Sequence, residues 1–138
     1  MEMLLKNNER IILRRYEEKD FNEILALTAE EGWTGLAGRP EEVREAWRNS
    51  NAAFVADHEG RIAGYIRALT DTMVTLYVCE LLVHNSFRAY GIGNGLMQYV
   101  HQLYPAARME LLASTTSHTY YETKKFRPFY GFRKTILE

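Results

Sequence analysis

At 138 residues the chain has the length of one domain, residues 1–138, and 46% hydrophobic residues suffice to build a core without metals or disulfides. Seventeen basic against eighteen acidic side chains leave a formal charge of −1, which argues against bulk capture of a nucleic-acid backbone, and no apolar run approaches the ~20 residues of a membrane span. Cys79 stands alone, so no internal disulfide forms, and Met1 to Asn7 lacks the basic start and apolar core of an export signal; a cytoplasmic protein is expected.

In chain order, the branched-aliphatic run Arg10–Arg15 predicts a first strand. Asp20 followed by Glu23 has the form of a helix cap, and Phe21, Ile24, Leu25 and Thr28 recur at helical spacing up to the stop at Gly32. Trp33–Gly38 reads as a mobile loop, after which Pro40 opens a second helix with Val43, Ala46 and Trp47 along one side. Ala52–Asp57 and Ile62–Leu69 flank the short connection His58-Glu59-Gly60-Arg61, an antiparallel hairpin that Val74–Val83 extends. The period then changes, with Ile92, Leu96, Tyr99, Val100 and Leu103 on one helical stripe until Pro105. Arg108–Ala113 returns to strand, Ser114–Lys125 is a helix weakened by its threonines, and Phe126–Leu137 is an aromatic-rich final strand. The expected fold class is α/β: one domain with a mixed, mainly antiparallel central sheet flanked by helices. Its order is strand, two helices, three strands, helix, strand, helix, strand.

The segment Arg88-Ala89-Tyr90-Gly91-Ile92-Gly93-Asn94-Gly95 lies between a strand and the long helix, where glycines let backbone approach an anion and free amides at a helix start favour its charge. It is no dinucleotide fingerprint, because the third glycine is Gly95 rather than residue 96, and it has no Walker lysine. The four histidines, His58, His84, His101 and His118, share no metal-ligand spacing, so no metal is expected. Lys124, Lys125, Arg127, Arg133 and Lys134 interleave with Phe126, Phe129, Tyr130 and Phe132; at this aromatic density the segment reads as closing a core rather than binding nucleic acid.

Arg88-Ala89-Tyr90-Gly91-Ile92-Gly93 resembles the R/Q-x-x-G-x-G/A coenzyme A loop of the GNAT family of N-acetyltransferases. Tyr77-Val78-Cys79-Glu80-Leu81-Leu82-Val83 is similar to the family's fourth strand, and Thr119-Tyr120-Tyr121-Glu122-Thr123-Lys124-Lys125-Phe126 to its F-Y-E-K-x-G-F segment. The resemblance implies acetyl transfer from acetyl-coenzyme A to a primary amine of a small molecule or peptide, by direct attack in a ternary complex. A catalytically silent acyl-coenzyme A-binding module is the alternative. It implies that Leu81, Leu82 and Val83 hold the pantetheine by backbone hydrogen bonds. The pyrophosphate would rest on the amides of Arg88, Ala89, Tyr90, Gly91, Ile92, Gly93 and Asn94, with Ser114 standing where many members carry a pantetheine-binding asparagine. Tyr121 matches the tyrosine that protonates the departing thiolate, with Tyr130 as rival, and Tyr120 then corresponds to a buried aromatic. Lys125 replaces the family's glycine.

Glu80 is the other catalytic candidate. Period-2 counting gives it the face of Val74, Leu76, Val78 and Leu82, where desolvation would raise its pKa toward that of a base for an ammonium substrate; a structural carboxylate is the other reading. Only one strand follows the last helix where the family usually has two, which leaves a sheet edge open and predicts a homodimer.

Overall fold

The computed structural model describes residues 1–138. Six strands form one sheet: β1 (Glu2–Leu4), β2 (Arg10–Arg15), β3 (Ala52–His58), β4 (Arg61–Thr70), β5 (Thr75–Val83) and β6 (Arg108–Leu111), side by side in that order. All neighbours are antiparallel except β5 and β6, which run parallel. A parallel pair needs a crossover, and α4 (Ile92–Leu103) supplies it. The other helices are α1 (Phe21–Glu30), the single turn α2 (Thr34–Ala37), α3 (Pro40–Arg48) and α5 (His118–Thr123).

Each face of the sheet buries its own cluster. Ile92, Leu96, Met97 and Val100 of α4 pack on Leu13, Phe54, Ile66, Leu76 and Val78. On the opposite face Phe21, Ile24 and Leu27 of α1 and Val43 and Trp47 of α3 cover Val55, Tyr65 and Leu82.

Four elements depart from the sequence reading. β1 was not expected: three residues have too little alternation to announce a strand, and the pairing Glu2↔Ile12 is set by the turn Leu5–Glu9, in which Leu5 N–H reaches the Glu9 carbonyl at 2.8 Å. The segment Trp33–Gly38 contains α2 rather than an irregular loop. The helix expected from Ser114 starts at His118, because the Ser117 hydroxyl accepts from Ser114 N–H at 2.9 Å and the chain turns locally there instead of winding. The last strand, Phe126–Leu137, does not form. Pro128 has no N–H to give a ladder, and Phe129, Tyr130, Phe132, Ile136 and Leu137 are each at least 83% exposed. Beyond Phe126, which packs on the α4-side cluster, the aromatic tail therefore closes no core.

Candidate active site

The site grows from an irregularity in β5. Arg67 pairs with Glu80 and its neighbour Ala68 with Val78, so Cys79 is an extra residue, a β-bulge. The bulge inverts the alternation beyond it. Leu76 and Val78 face α4, whereas Glu80 and Leu82 face α1 and α3, and Leu81 and Val83 take over the α4 side. Glu80 therefore does not share a face with Leu76 and Val78, contrary to strict period-2 counting.

The bulge also coincides with a parting of strands. Pairing of β5 with β6 runs from Thr75↔Arg108 to Val78↔Leu111 and stops, while β5 continues to Val83. Along Cys79–Val83 one backbone edge of β5 has no strand beside it. On the other side of β5, Gly64 of β4 pairs with Val83, and its missing side chain lets the two strands close: a Cβ there would stand 2.9 Å from the Leu82 carbonyl.

Past Val83 the chain turns sharply into α4. The Ser86 N–H donates to His84 Nδ1 at 3.0 Å, Ala89 adopts φ +70° and Gly91 φ +97°. Gly95 N–H to the Gly91 carbonyl, 2.9 Å, is the first bond of the helix. The amides of Ala89, Tyr90, Gly91, Ile92, Gly93 and Asn94 are thus left free by the fold, at the positive end of the α4 dipole. They suit an anion, and the adjoining strand edge suits an amide-bearing chain, so the pyrophosphate and pantetheine of a coenzyme A fit the residues present. Arg88 donates through Nε to the Val83 carbonyl at 3.1 Å and pairs through Nη2 with Glu31 at the end of α1.

Glu80 is buried and bonded to Arg67, Nε to Oε2 2.5 Å, with Arg67 Nη1 reaching the Ser50 hydroxyl at 3.2 Å. It is not the lone carboxylate in an apolar row that the sequence suggested. Arg67 was missed, although the signal existed: it interrupts the apolar run Ile62–Leu69 just as Glu80 interrupts the next strand, the mark of a cross-strand ion pair. Beside them burial pushes the Cys79 thiol up.

The two tyrosines of α5 part company. Tyr121 packs into the α4-side cluster edge-to-face with Phe126, centroids 5.6 Å apart. Tyr120 carries its hydroxyl to the glycine turn: a Cβ on Gly93 would stand 3.3 Å from Tyr120 Oη, 3.6 Å from Val83 Cγ2 and 3.8 Å from Leu81 Cδ2. Burial pushes both phenols up, Tyr121 with a further contribution from Tyr120. Tyr130 is 97% exposed and lines the C-terminal cleft. Ser114 is exposed, its hydroxyl bonded to Thr116 and Ser117. With Tyr121 it lines a cleft of about 1300 Å³ between β6 and the C-terminal segment, which none of Glu80, Leu81–Val83 or Arg88–Gly95 touches. The structure thus brings Leu81, Val83 and the hydroxyl of Tyr120 to Gly93 on the α4 side, places Tyr121 on the same cluster but in the C-terminal cleft with Ser114, and holds Glu80 on the opposite face beside Arg67. No three His, Cys, Asp or Glu side chains gather as a metal site, and no helix is long and apolar enough to cross a membrane.

Comparison with known proteins supplies independent findings. The family model of an acetyltransferase (GNAT) domain matches residues 13–135. A GNAT-family acetyltransferase structure from Streptococcus pneumoniae superimposes with TM-score 0.75 at 21% identity, over 93% of this chain and 98% of that one. The diaminobutyrate acetyltransferase of Paenibacillus lautus, solved with L-2,4-diaminobutyric acid and coenzyme A, gives 0.66 at 22% identity, over 83% and 72%. An aminoglycoside acetyltransferase from an uncultured soil metagenomic sample, solved with sisomicin, gives 0.64 at 17%, over 91% and 96%. At these identities the likeness is one of fold. No curated protein sequence matches the chain.

Proposed function

Because the chain belongs to the GNAT family of acetyltransferases, we propose that it moves an acetyl group from acetyl-coenzyme A to a primary amine of a small molecule or peptide, by direct attack in a ternary complex. The observation that carries this reading is the unpaired edge of β5 running from the Cys79 bulge straight to the free amides of Ala89–Asn94. The coenzyme supplies an activated acetyl thioester. The backbone of Leu81, Leu82 and Val83 holds its pantetheine arm, and the amides of Ala89 to Asn94 with the Arg88 side chain hold its pyrophosphate. Bound this way, the thioester lies beside Glu80 at the bulge.

Glu80, gripped by Arg67, presents a fixed carboxylate toward the face of α1 and α3, where it orients the incoming amine and accepts its proton directly or through water. The phenol that meets the departing sulfur is Tyr120 in preference to the motif-matching Tyr121, since Tyr120 Oη borders Gly93, Leu81 and Val83. Burial, by holding the phenol in its neutral form, keeps a proton there to donate. A small-molecule amine is favoured as acceptor by the diaminobutyrate and sisomicin held in the two solved relatives. A homodimer acting in the cytoplasm completes the reading, its support being the open outer edge of β6 and the exposed apolar side chains after Phe126.

Thiol release from acetyl-coenzyme A across a panel of diamines, aminoglycosides, amino acids and peptides tests it. Tyr120→Phe is expected to lower kcat by about 10²–10⁴-fold with coenzyme affinity retained, and Tyr121→Phe to leave kcat nearly intact. Coenzyme binding without thiol release from any amine would replace the enzyme by the silent acyl-coenzyme A-binding module.

A further inference from the structure

The end of α1 breaks a local rule. A helix C-terminus carries partial negative charge and favours cations, yet α1 closes on two consecutive acids, Glu30 and Glu31, with no basic residue in its last turn. Departures of this kind mark places where something outside the element decides the residue. Here the outside element is the turn between β5 and α4. Glu31 pairs with Arg88 Nη2, and Glu30 faces His84 Nε2 at 3.5 Å. Because His84 Nδ1 accepts from the Ser86 N–H, a neutral imidazole carries its proton on Nε2, directed at Glu30. Two adjacent carboxylates thus grip two positions four residues apart on the loop that leads into the free amides.

From this we infer that Glu31 is a positioning residue for coenzyme binding, acting through Arg88; the inference rests on the function proposed above. A guanidinium offers five N–H donors in a rigid fork. Arg88 spends Nε on the Val83 carbonyl and one Nη2 donor on Glu31, which pins the plane of the fork from two sides. Its other donors have no protein partner, and they stand on the turn whose amides are free. Without Glu31 the half-exposed Arg88 side chain has four rotatable bonds and one remaining anchor, and ordering it becomes a cost that each phosphate must meet. The pair matters through orientation: as a partly exposed ion pair it contributes little to folding stability.

Calorimetric titration with coenzyme A, and with pantetheine, which lacks the pyrophosphate, distinguishes this from a general structural role. Glu31→Ala should weaken coenzyme A binding about three- to tenfold, the range one hydrogen bond commands, leave pantetheine binding unchanged and leave the melting temperature within a degree or two. Glu31→Gln, which keeps an acceptor for Arg88, should rescue most of the loss. In an Arg88→Ala background, Glu31→Ala should add nothing, because a residue that acts through another is silent once that other is gone. Unchanged coenzyme A affinity, tighter binding, an equal loss for pantetheine, or a full additional loss in the Arg88→Ala background each overturns the inference while leaving the proposed function standing. Failure of the unaltered chain to bind coenzyme A overturns both.

Discussion

Replacing Glu80 by glutamine separates what the carboxylate does for the fold from what it does for chemistry. The Glu80 and Arg67 side chains are 6% and 16% exposed and meet at 2.5 Å. At an effective dielectric constant of about 20 their gross attraction is roughly 7 kcal/mol, most of it spent against the desolvation of two ions. Removing one partner strands the other charge, which costs about 3–5 kcal/mol. Glutamine still offers Arg67 an oxygen, so the loss should fall near 3 kcal/mol, the lower end. With an unfolding entropy of about 2.1 cal/mol/K per residue, 138 residues convert that into a melting temperature lower by roughly 10 °C. Differential scanning calorimetry at pH 7 measures it. The double variant Arg67→Met/Glu80→Leu, which leaves no charge behind, should recover most of the lost stability. A drop under about 2 °C for Glu80→Gln, or a double variant as unstable as the two single losses summed, would refute the buried-pair account. Thiol release then isolates the chemical role: a rate defect that shrinks at high pH marks a base, and one that is constant with pH marks an orienting group.

Two further outcomes follow from geometry. Gly93→Val should abolish coenzyme A binding in calorimetry while circular dichroism stays native, because even the Cβ stands 3.3 Å from Tyr120 Oη and the branched methyls fill the space beside Leu81 and Val83. Asp20 is buried, which by itself raises its pKa, but two Arg14 hydrogen bonds of 2.8 Å and the Glu17 N–H more than offset this and hold it below the usual carboxylate value. A lowered folded pKa contributes stability that is complete above the unfolded value near pH 3.8 and fades as pH falls through the folded value. Denaturant unfolding of Asp20→Asn should therefore show a loss of about 3 kcal/mol at pH 7 that shrinks as pH falls below the unfolded value.

The parts of this molecule that were readable in the sequence are those set by local pattern. The stripe Ile92, Leu96, Val100 gives α4 wherever the rest of the chain lies, and Glu59-Gly60, both at positive φ, gives the hairpin between β3 and β4. The glycine turn was readable because its glycines serve backbone geometry, which spacing records. Other features were not. β1 exists only because β2 offers it an edge, and the segment after Phe126 has strand-forming residues but adds no ladder to β6, Pro128 having no N–H to give. Tyr120 and Tyr121 are adjacent in the chain, and which of them looks toward Gly93 depends on how α5 rolls against α4, a tertiary choice that short motif matching cannot carry. Glu31 shows no motif at all, only an unfavourable place at a helix end.

The bulge at Cys79 shows why one unremarkable residue connects fold to chemistry. Were β5 to alternate without it, Glu80 would fall on the side of Val78 and point into the cluster of Ile92, Leu96 and Val100. A carboxylate there would have no Arg67 opposite on the same face and would bear its desolvation uncompensated. By adding one residue, the strand moves Glu80 to the side where Arg67, itself bonded to the Ser50 hydroxyl, receives it, and turns Leu81 and Val83 toward Gly93. The same insertion bends the strand, and β6 loses contact one residue before the bulge, at Val78. The open backbone edge and the polar pair facing α1 and α3 are therefore one event. An acyl chain laid along that edge, as proposed above, would have the α4 turn at one end and the bulge that carries Glu80 at the other.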